Sequence, residues 1–315
     1  MSWKPIIVGV DASIEAGRAA AFGAGLAEAA GTACRLVHAA PNPWTVLPSG
    51  DVPEEARKQV EALFARARDS VQHALWGQVS PALLERLLVR AGQAPVALRQ
   101  AAAEIDAELI VVGGKHHTAI GEWMGGSTAM HLLRTTERPV LVATSSGPPR
   151  RILVGLDASE ATEPTLAAAE RFAGLFGAQL KVLSVVEPLP MGGEAPGVAD
   201  PQPYYDASRA VVEQKIWPMI TGRDVEHEIA FGPAADAISR EARTWGTDLL
   251  VVGSHGKGWV ERVLIGSVTR RLVHELPASV LVVPVYATLA TGPAEAGAGA
   301  GAEVSGPLTG VVGIG

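Results

Sequence analysis

Short runs of Val, Ile and Leu alternate along the chain with Ala-rich stretches whose apolar positions recur at helical spacing. In the second half the runs predict strands over Arg151–Leu156, Gln179–Val186, Val225–Phe231, Asp248–Gly253 and Ser279–Pro284. Between them, helical patterns cover Glu163–Phe176, Tyr204–Met219, Pro233–Trp245 and Ser267–Glu275. Gly177, Gly222, Gly232-Pro233 and Gly246 punctuate the ends, as chain turns require. The first half repeats this order, with strands expected near residues 5–10, 33–39, 84–90, 108–113 and 139–143. Runs that are apolar at every position, separated by helices, belong in a parallel sheet covered on both faces. The expected fold class is therefore α/β. Right-handed crossovers would make two tandem doubly wound five-stranded parallel sheets of strand order 3-2-1-4-5.

The halves also match residue by residue. Ile7-Val8-Gly9-Val10-Asp11-Ala12-Ser13 returns as Leu153-Val154-Gly155-Leu156-Asp157-Ala158-Ser159. Leu109-Ile110-Val111-Val112-Gly113 returns as Leu249-Leu250-Val251-Val252-Gly253, Gly126-Ser127 as Gly266-Ser267, and Val140-Leu141-Val142 as Val280-Leu281-Val282, all 140 residues later. Several matches in one register indicate a domain duplication, and the period is too long for a solenoid. The expected organisation is a first domain over residues 1–146, a short linker around Thr144–Arg150 with two prolines, and a second domain over 150–286. The remaining residues, 287–315, are rich in Gly and Ala with almost no charge. They lack the apolar surface to offset their ordering entropy and read as a disordered tail.

Bulk chemistry narrows the function. The 26 Lys+Arg stand against 33 Asp+Glu, a net charge of −7, so the overall field disfavours nucleic acid but not a small phosphorylated ligand held locally. Cys34 is the single cysteine, which excludes an internal disulfide and suits a reducing compartment. The opening residues show no basic region followed by a long apolar stretch, and no apolar run reaches the ~20 residues of a membrane helix. The expectation is a soluble, cytoplasmic protein with neither membrane nor nucleic-acid partners.

The candidate chemistry lies after the fourth strand of the second half. Gly253-Ser254-His255-Gly256 is followed by nine residues and then Gly266-Ser267. Loops leaving the carboxyl ends of parallel strands meet ligands. Glycines at 253, 256 and 266 would let bare main-chain amides approach phosphate oxygens, and Gly266-Ser267 opens a helix whose positive end favours an anion. Lys257 and Arg262 lie in the same loop. Asp157, after the first strand, would face the same crevice and can accept hydrogen bonds from ribose hydroxyls; the competing reading is a turn-forming Asx. His255 reads as a solvated loop histidine.

This spacing, with Val154-Gly155-Leu156-Asp157-Ala158-Ser159 upstream and Val280-Leu281-Val282-Val283-Pro284 at the close, resembles the ATP-binding branch of the universal stress protein family over roughly residues 3–286. The resemblance implies a tandem member with an adenine-nucleotide alpha-hydrolase-like fold. It implies ATP, with a divalent ion such as Mg²⁺, in the second crevice. Asp157 would bind ribose, Val185 and Val252 would line the adenine pocket, and Gly253, Gly256, Gly266, Ser267 and Val268 would surround the phosphates; Gly155, Ser159 and Lys257 complete the cofactor-binding set. The first copy departs from the pattern: His116 stands where Gly256 stands in the second. Asp11, Ser13, Gly113, Gly126 and Ser127 persist as a weaker site. The preferred reading is a weakened or empty crevice, the alternative being phosphate contacts from Lys115, His116 and His117. A metal site at His116-His117 lacks a carboxylate partner and is disfavoured.

No G-x4-G-K-[ST], G-x-S-x-G or H-E-x-x-H motif occurs, so neither a P-loop enzyme nor a hydrolase of those classes is indicated. A nucleotide held without a catalytic set suggests a stress-response sensor or regulator. A flavin-type redox carrier and a ligand-free oligomerisation scaffold remain alternatives. Residues Val140–Val142 and Val280–Val283 are expected to pair within the chain as a pseudo-dimer, and such tandem chains can dimerise again.

Overall fold

The computed structural model describes residues 2–41, 54–114, 127–188, 202–221, 225–255 and 265–286. Among the described residues, ten strands form one sheet. In the first half they are β1 Ile6–Gly9, β2 Cys34–Ala40, β3 Leu88–Ala91, β4 Leu109–Gly113 and β5 Val140–Ala143. In the second they are β6 Arg151–Gly155, β7 Gln179–Val186, β8 Glu226–Phe231, β9 Leu249–Gly253 and β10 Ser279–Val283. The spatial order is β3-β2-β1-β4-β5-β10-β9-β6-β7-β8. Each half thus has the expected 3-2-1-4-5 order with parallel pairing. The halves do not remain two sheets: β5 and β10 pair antiparallel, Val280 opposite Val142, Leu281 opposite Leu141 and Val282 opposite Val140. These six side chains are essentially fully buried.

Alternation along each strand sends side chains to opposite faces, and two core layers result. One gathers Ile6, Val8, Leu36, Val111, Leu141, Val154, Val251 and Leu281. The other gathers Ile7, Val37, Ile110, Val140, Leu153, Leu183, Leu250 and Val282. Both layers run unbroken through the seam.

The helices are α1 Ile14–Ala30, α2 Glu54–Leu75, α3 Pro81–Glu85, α4 Ala94–Glu104, α5 Ser127–Thr135, α6 Thr162–Phe176, α7 Gln202–Lys215, α8 Ala234–Trp245 and α9 Ser267–Glu275. A 3-10 turn, Trp217–Met219, follows α7. Three of the helices stop at a left-handed glycine: α1 at Gly31 (φ 62°), α6 at Gly177 (φ 61°) and α8 at Gly246 (φ 68°). That conformation costs other residues a Cβ clash.

One strand differs from expectation. Residues 84–90 read as a strand, yet Pro81–Glu85 is helical and β3 begins only at Leu88. Ser80 accepts from Leu83 N at 3.4 Å, and Pro81 holds the first helical position, a combination that starts helices. The tail expected at 287–315 lies outside the described residues.

A contact across the halves supplements the seam. Arg171 on α6 forms a bidentate ion pair with Glu108 (3.0 and 3.1 Å) and lies 3.8 Å over the Trp3 ring. Trp3 in turn meets Phe172 edge-on at 5.3 Å. Burial of all three partners suits a paired, stacked arginine.

Candidate functional site

A cavity of about 320 Å³ opens at the carboxyl ends of β6, β7 and β9, where doubly wound sheets take ligands. Its size lies at the lower end of small-molecule pockets. Gly155, Asp157, Val185, Val252, Gly253, Gly266, Ser267 and Val268 all line it, so eight predicted residues meet around one space. Ser159 is not a wall residue; its hydroxyl donates to Asp157 Oδ1 at 2.5 Å. Gly256 and Lys257 lie outside the described residues, as do Gly126 and the Ser127 side chain.

The loop after β6 is built by hydrogen bonds from short polar side chains. Thr162 Oγ1 donates to the carbonyl oxygens of Asp157 and Ser159, and Ser159 Oγ accepts from Ala161 N at 3.3 Å. Ser184 Oγ donates to Leu156 O at 2.9 Å. At the end of β7, Glu187 accepts from Tyr204 OH through its carbonyl and from Ala234 N through Oε1, both at 3.1 Å. That residue fastens α7 and α8 around the cavity.

Of the motif's three glycines, Gly253 and Gly266 lie among the described residues. Gly266 N is not bare: it donates to Ser254 O at 2.9 Å. The first-turn amides of Ser267, Val268 and Thr269 receive no acceptor from within the helix, and Gly266 as N-cap provides no side chain. Gly253 is required by packing. A Cβ there would lie 2.7 Å from Ala161 Cβ and 3.3 Å from Thr165 Oγ1, so the absent side chain admits α6 beside the cavity. Thr269 Oγ1 donates to Gly253 O at 2.7 Å and ties α9 to the strand end.

His255 is not a solvated loop histidine. Its Nδ1 lies 2.8 Å from Ser254 Oγ, and Nε2 is buried without a partner among the described residues. Burial holds the imidazole below its ordinary pKa of 6.5, because the charged form loses solvation. Thr165 also lines the cavity. Sequence reasoning missed it, since a threonine inside a helix carries no motif.

In the first half, Asp11 Oδ1 accepts from Ser13 N at 2.9 Å and Ser13 Oγ accepts from Ala16 N at 3.2 Å. Asp11 is therefore an Asx turn feeding a helix cap. A Cβ on Gly113 would lie 2.6 Å from the main-chain carbon and oxygen of Glu15. The helix backbone itself rests on that strand end.

The universal stress protein family model matches this chain twice, over residues 2–144 and 149–284. The chain belongs to the universal stress protein family. A universal stress protein of Mycobacterium tuberculosis is 26% identical over 296 residues, covering 88% of this chain and 96% of that protein. Universal stress protein A homolog 2 of Coxiella burnetii is 29% identical over 140 residues, which is 43% of this chain and 95% of that protein. One relative thus matches the tandem chain and another a single repeat. A crystal structure of a universal stress protein from Archaeoglobus fulgidus superposes with a TM-score of 0.58 at 16% identity, covering 89% of this chain and 98% of that one, which supports the universal stress protein fold.

Among the described residues no helix is long and apolar enough to cross a membrane, and no three His, Cys, Asp or Glu side chains are grouped to hold a metal ion.

Proposed function

We propose that the second crevice binds ATP and that the protein acts as a nucleotide-dependent regulator in the cytoplasm. The observation that carries this reading is one cavity bounded by a positioned carboxylate, Asp157, and by the open first turn of α9. A carboxylate suits ribose hydroxyls, and a helix N-terminus suits phosphate. Val185 and Val252 give apolar wall between them for the base. The buried Nε2 of His255 and the buried Thr165 hydroxyl fit a polar, oxygen-rich ligand better than an apolar one. When bound, ATP would supply negative charge and a shape complementary to the crevice. The main-chain amides of Ser267, Val268 and Thr269 would hold its anionic end.

Regulation is preferred to catalysis because of how the wall is used. Its titratable groups among the described residues are Asp157, Glu187, Tyr204 and His255. Asp157, Glu187 and Tyr204 already make structural hydrogen bonds. Two ligand states can then be read by a partner or a second copy of the chain as a population shift. Calorimetry on the purified full chain tests the reading. Expected are ATP binding, roughly tenfold weaker binding by Asp157→Ala, as loss of a hydrogen bond to a charged group predicts, and no multiple-turnover hydrolysis. Absence of binding at millimolar ATP, or release of flavin from the denatured protein, overturns it.

A further inference from the structure

Two polar atoms in the cavity wall stand out by being unsatisfied. Thr165 is 1% exposed, and its Oγ1 has no hydrogen-bond partner among the described residues. Three residues earlier, Thr162 spends its hydroxyl on two carbonyls. The carbonyl one turn back from Thr165, that of Ala161, receives the Thr165 amide at 3.1 Å but not its hydroxyl. The second atom is His255 Nε2, also buried and unpartnered, with the opposite ring nitrogen held by Ser254 Oγ. Both residues border Gly253: a Cβ there would lie 3.3 Å from Thr165 Oγ1 and 3.4 Å from His255 O. Both line the cavity together with the first turn of α9.

The first half shows that packing does not require this hydroxyl. In the register that matches Asp11 to Asp157, Ala19 occupies the place of Thr165 and is fully buried. A buried hydroxyl without a partner is destabilising, so its presence in the second half needs a compensating contact. The chemistry of that contact is constrained. Threonine has a proton to donate. The Ser254 Oγ–His255 Nδ1 contact is compatible with either neutral tautomer; the one in which Nδ1 accepts carries its proton on Nε2. In that tautomer both atoms seek an acceptor, beside a helix end that favours negative charge.

We infer that Thr165 Oγ1 and His255 Nε2 form a recognition point for an anionic oxygen of the bound ligand, making the cavity select phosphorylated over unphosphorylated adenine compounds. The inference rests on the nucleotide reading of the same cavity and adds two side chains outside the glycine loop.

Titration calorimetry of the full chain with ATP, AMP and adenosine, alongside melting of the ligand-free protein, tests it. Thr165→Val keeps the shape and removes the donor; Thr165→Ala copies the first half and serves if the valine variant misfolds. Each is expected to bind ATP roughly tenfold more weakly, as loss of a hydrogen bond to a charged group predicts, while adenosine affinity stays within about twofold. His255→Ala should behave likewise, with His255→Gln restoring part of the loss through its amide donor. Ligand-free Thr165→Val should melt higher than the wild type, because its stranded hydroxyl is gone. Unchanged ATP affinity in these variants, with the wild type binding normally, overturns the inference alone. A lower melting temperature for Thr165→Val does so too, since the hydroxyl would then have a structural partner. A wild type that binds none of the three compounds overturns the nucleotide reading and this inference together.

Discussion

The two crevices come from one duplicated unit, yet their floors are built by different contacts. Helix α1 starts three residues after Asp11, at Ile14, and α6 starts five residues after Asp157, at Thr162. Both helices end at matched glycines, Gly31 and Gly177, so the difference lies wholly at their beginnings. In the first half Ser13 caps at once and the helix backbone closes over the end of β4. In the second, Ser159 gives its hydroxyl to Asp157, and Ser159–Ala161 form a turn before the helix begins. A second exchange acts in the same direction. His38 reaches Val10 O at 2.8 Å with a bulky ring, where Ser184 reaches the matching Leu156 O with a small hydroxyl. Two helical residues and one side chain thus separate the two floors.

The largest test of this comparison is a pair of glycine substitutions. Gly113→Ala drives a methyl to within 2.6 Å of the Glu15 main chain, which moves only if the helix moves. Gly253→Ala meets the Ala161 methyl at 2.7 Å, in a turn with more freedom to shift. Overpacking of this kind costs about 1–3 kcal/mol, so urea denaturation should show Gly113→Ala near the upper end, about 3 kcal/mol, and Gly253→Ala near 1 kcal/mol. Equal losses would mean that the two helix starts yield alike.

The next test compares the carboxylates. Asp157→Ala should weaken ATP roughly tenfold, whereas Asp11→Ala, losing an Asx turn rather than a ligand contact, should leave ATP affinity within about twofold. A comparable loss in both variants would place nucleotide in both crevices.

How far these contrasts could be read in the sequence depends on the kind of signal. Central strands such as β4, β9 and β10 were legible because both of their faces are buried, which forces continuous apolar runs. The edge strand β3 is only partly buried, so its pattern blurred into the helical turn before it, although Ser80-Pro81 marked that turn. The cavity's position was legible from the glycine spacing. The role of each glycine was not, because whether Gly253 faces a ligand or Ala161 depends on where α6 begins. Thr165 and the Arg171–Glu108 pair, 63 residues apart, carry no local pattern; only folding gives them neighbours.

Smaller effects should distinguish the two serines. Ser13→Ala removes a helix cap and should cost about 1 kcal/mol of stability. Ser159→Ala should cost less, since α6 begins three residues later, but should weaken ATP by removing one of the contacts that position the Asp157 carboxylate. Thermal melts and calorimetry on the two variants separate these outcomes.

The smallest expected effect is a pH dependence confined to the second crevice. Lys115 stands in the first half at the place of His255, so only the second loop carries an imidazole at that position. Burial lowers the His255 pKa from 6.5, so as pH falls through that value the unfolded chain takes up a proton that the folded, ligand-free chain resists. Stability is then present above 6.5, declines as pH drops toward the folded pKa, and levels off below it. His255→Gln lacks this loss, and Asp157, Glu187 and Tyr204 share the cavity in both proteins, so the difference between the two melting curves isolates the imidazole. Bound ATP should reverse the sign, since an anionic oxygen beside Nε2 favours the imidazolium. On acidification, wild-type affinity for ATP should therefore rise relative to His255→Gln. Parallel pH profiles with and without ATP would show that the ring does not meet the phosphate end, and the functional difference between the crevices would then rest on their floors alone.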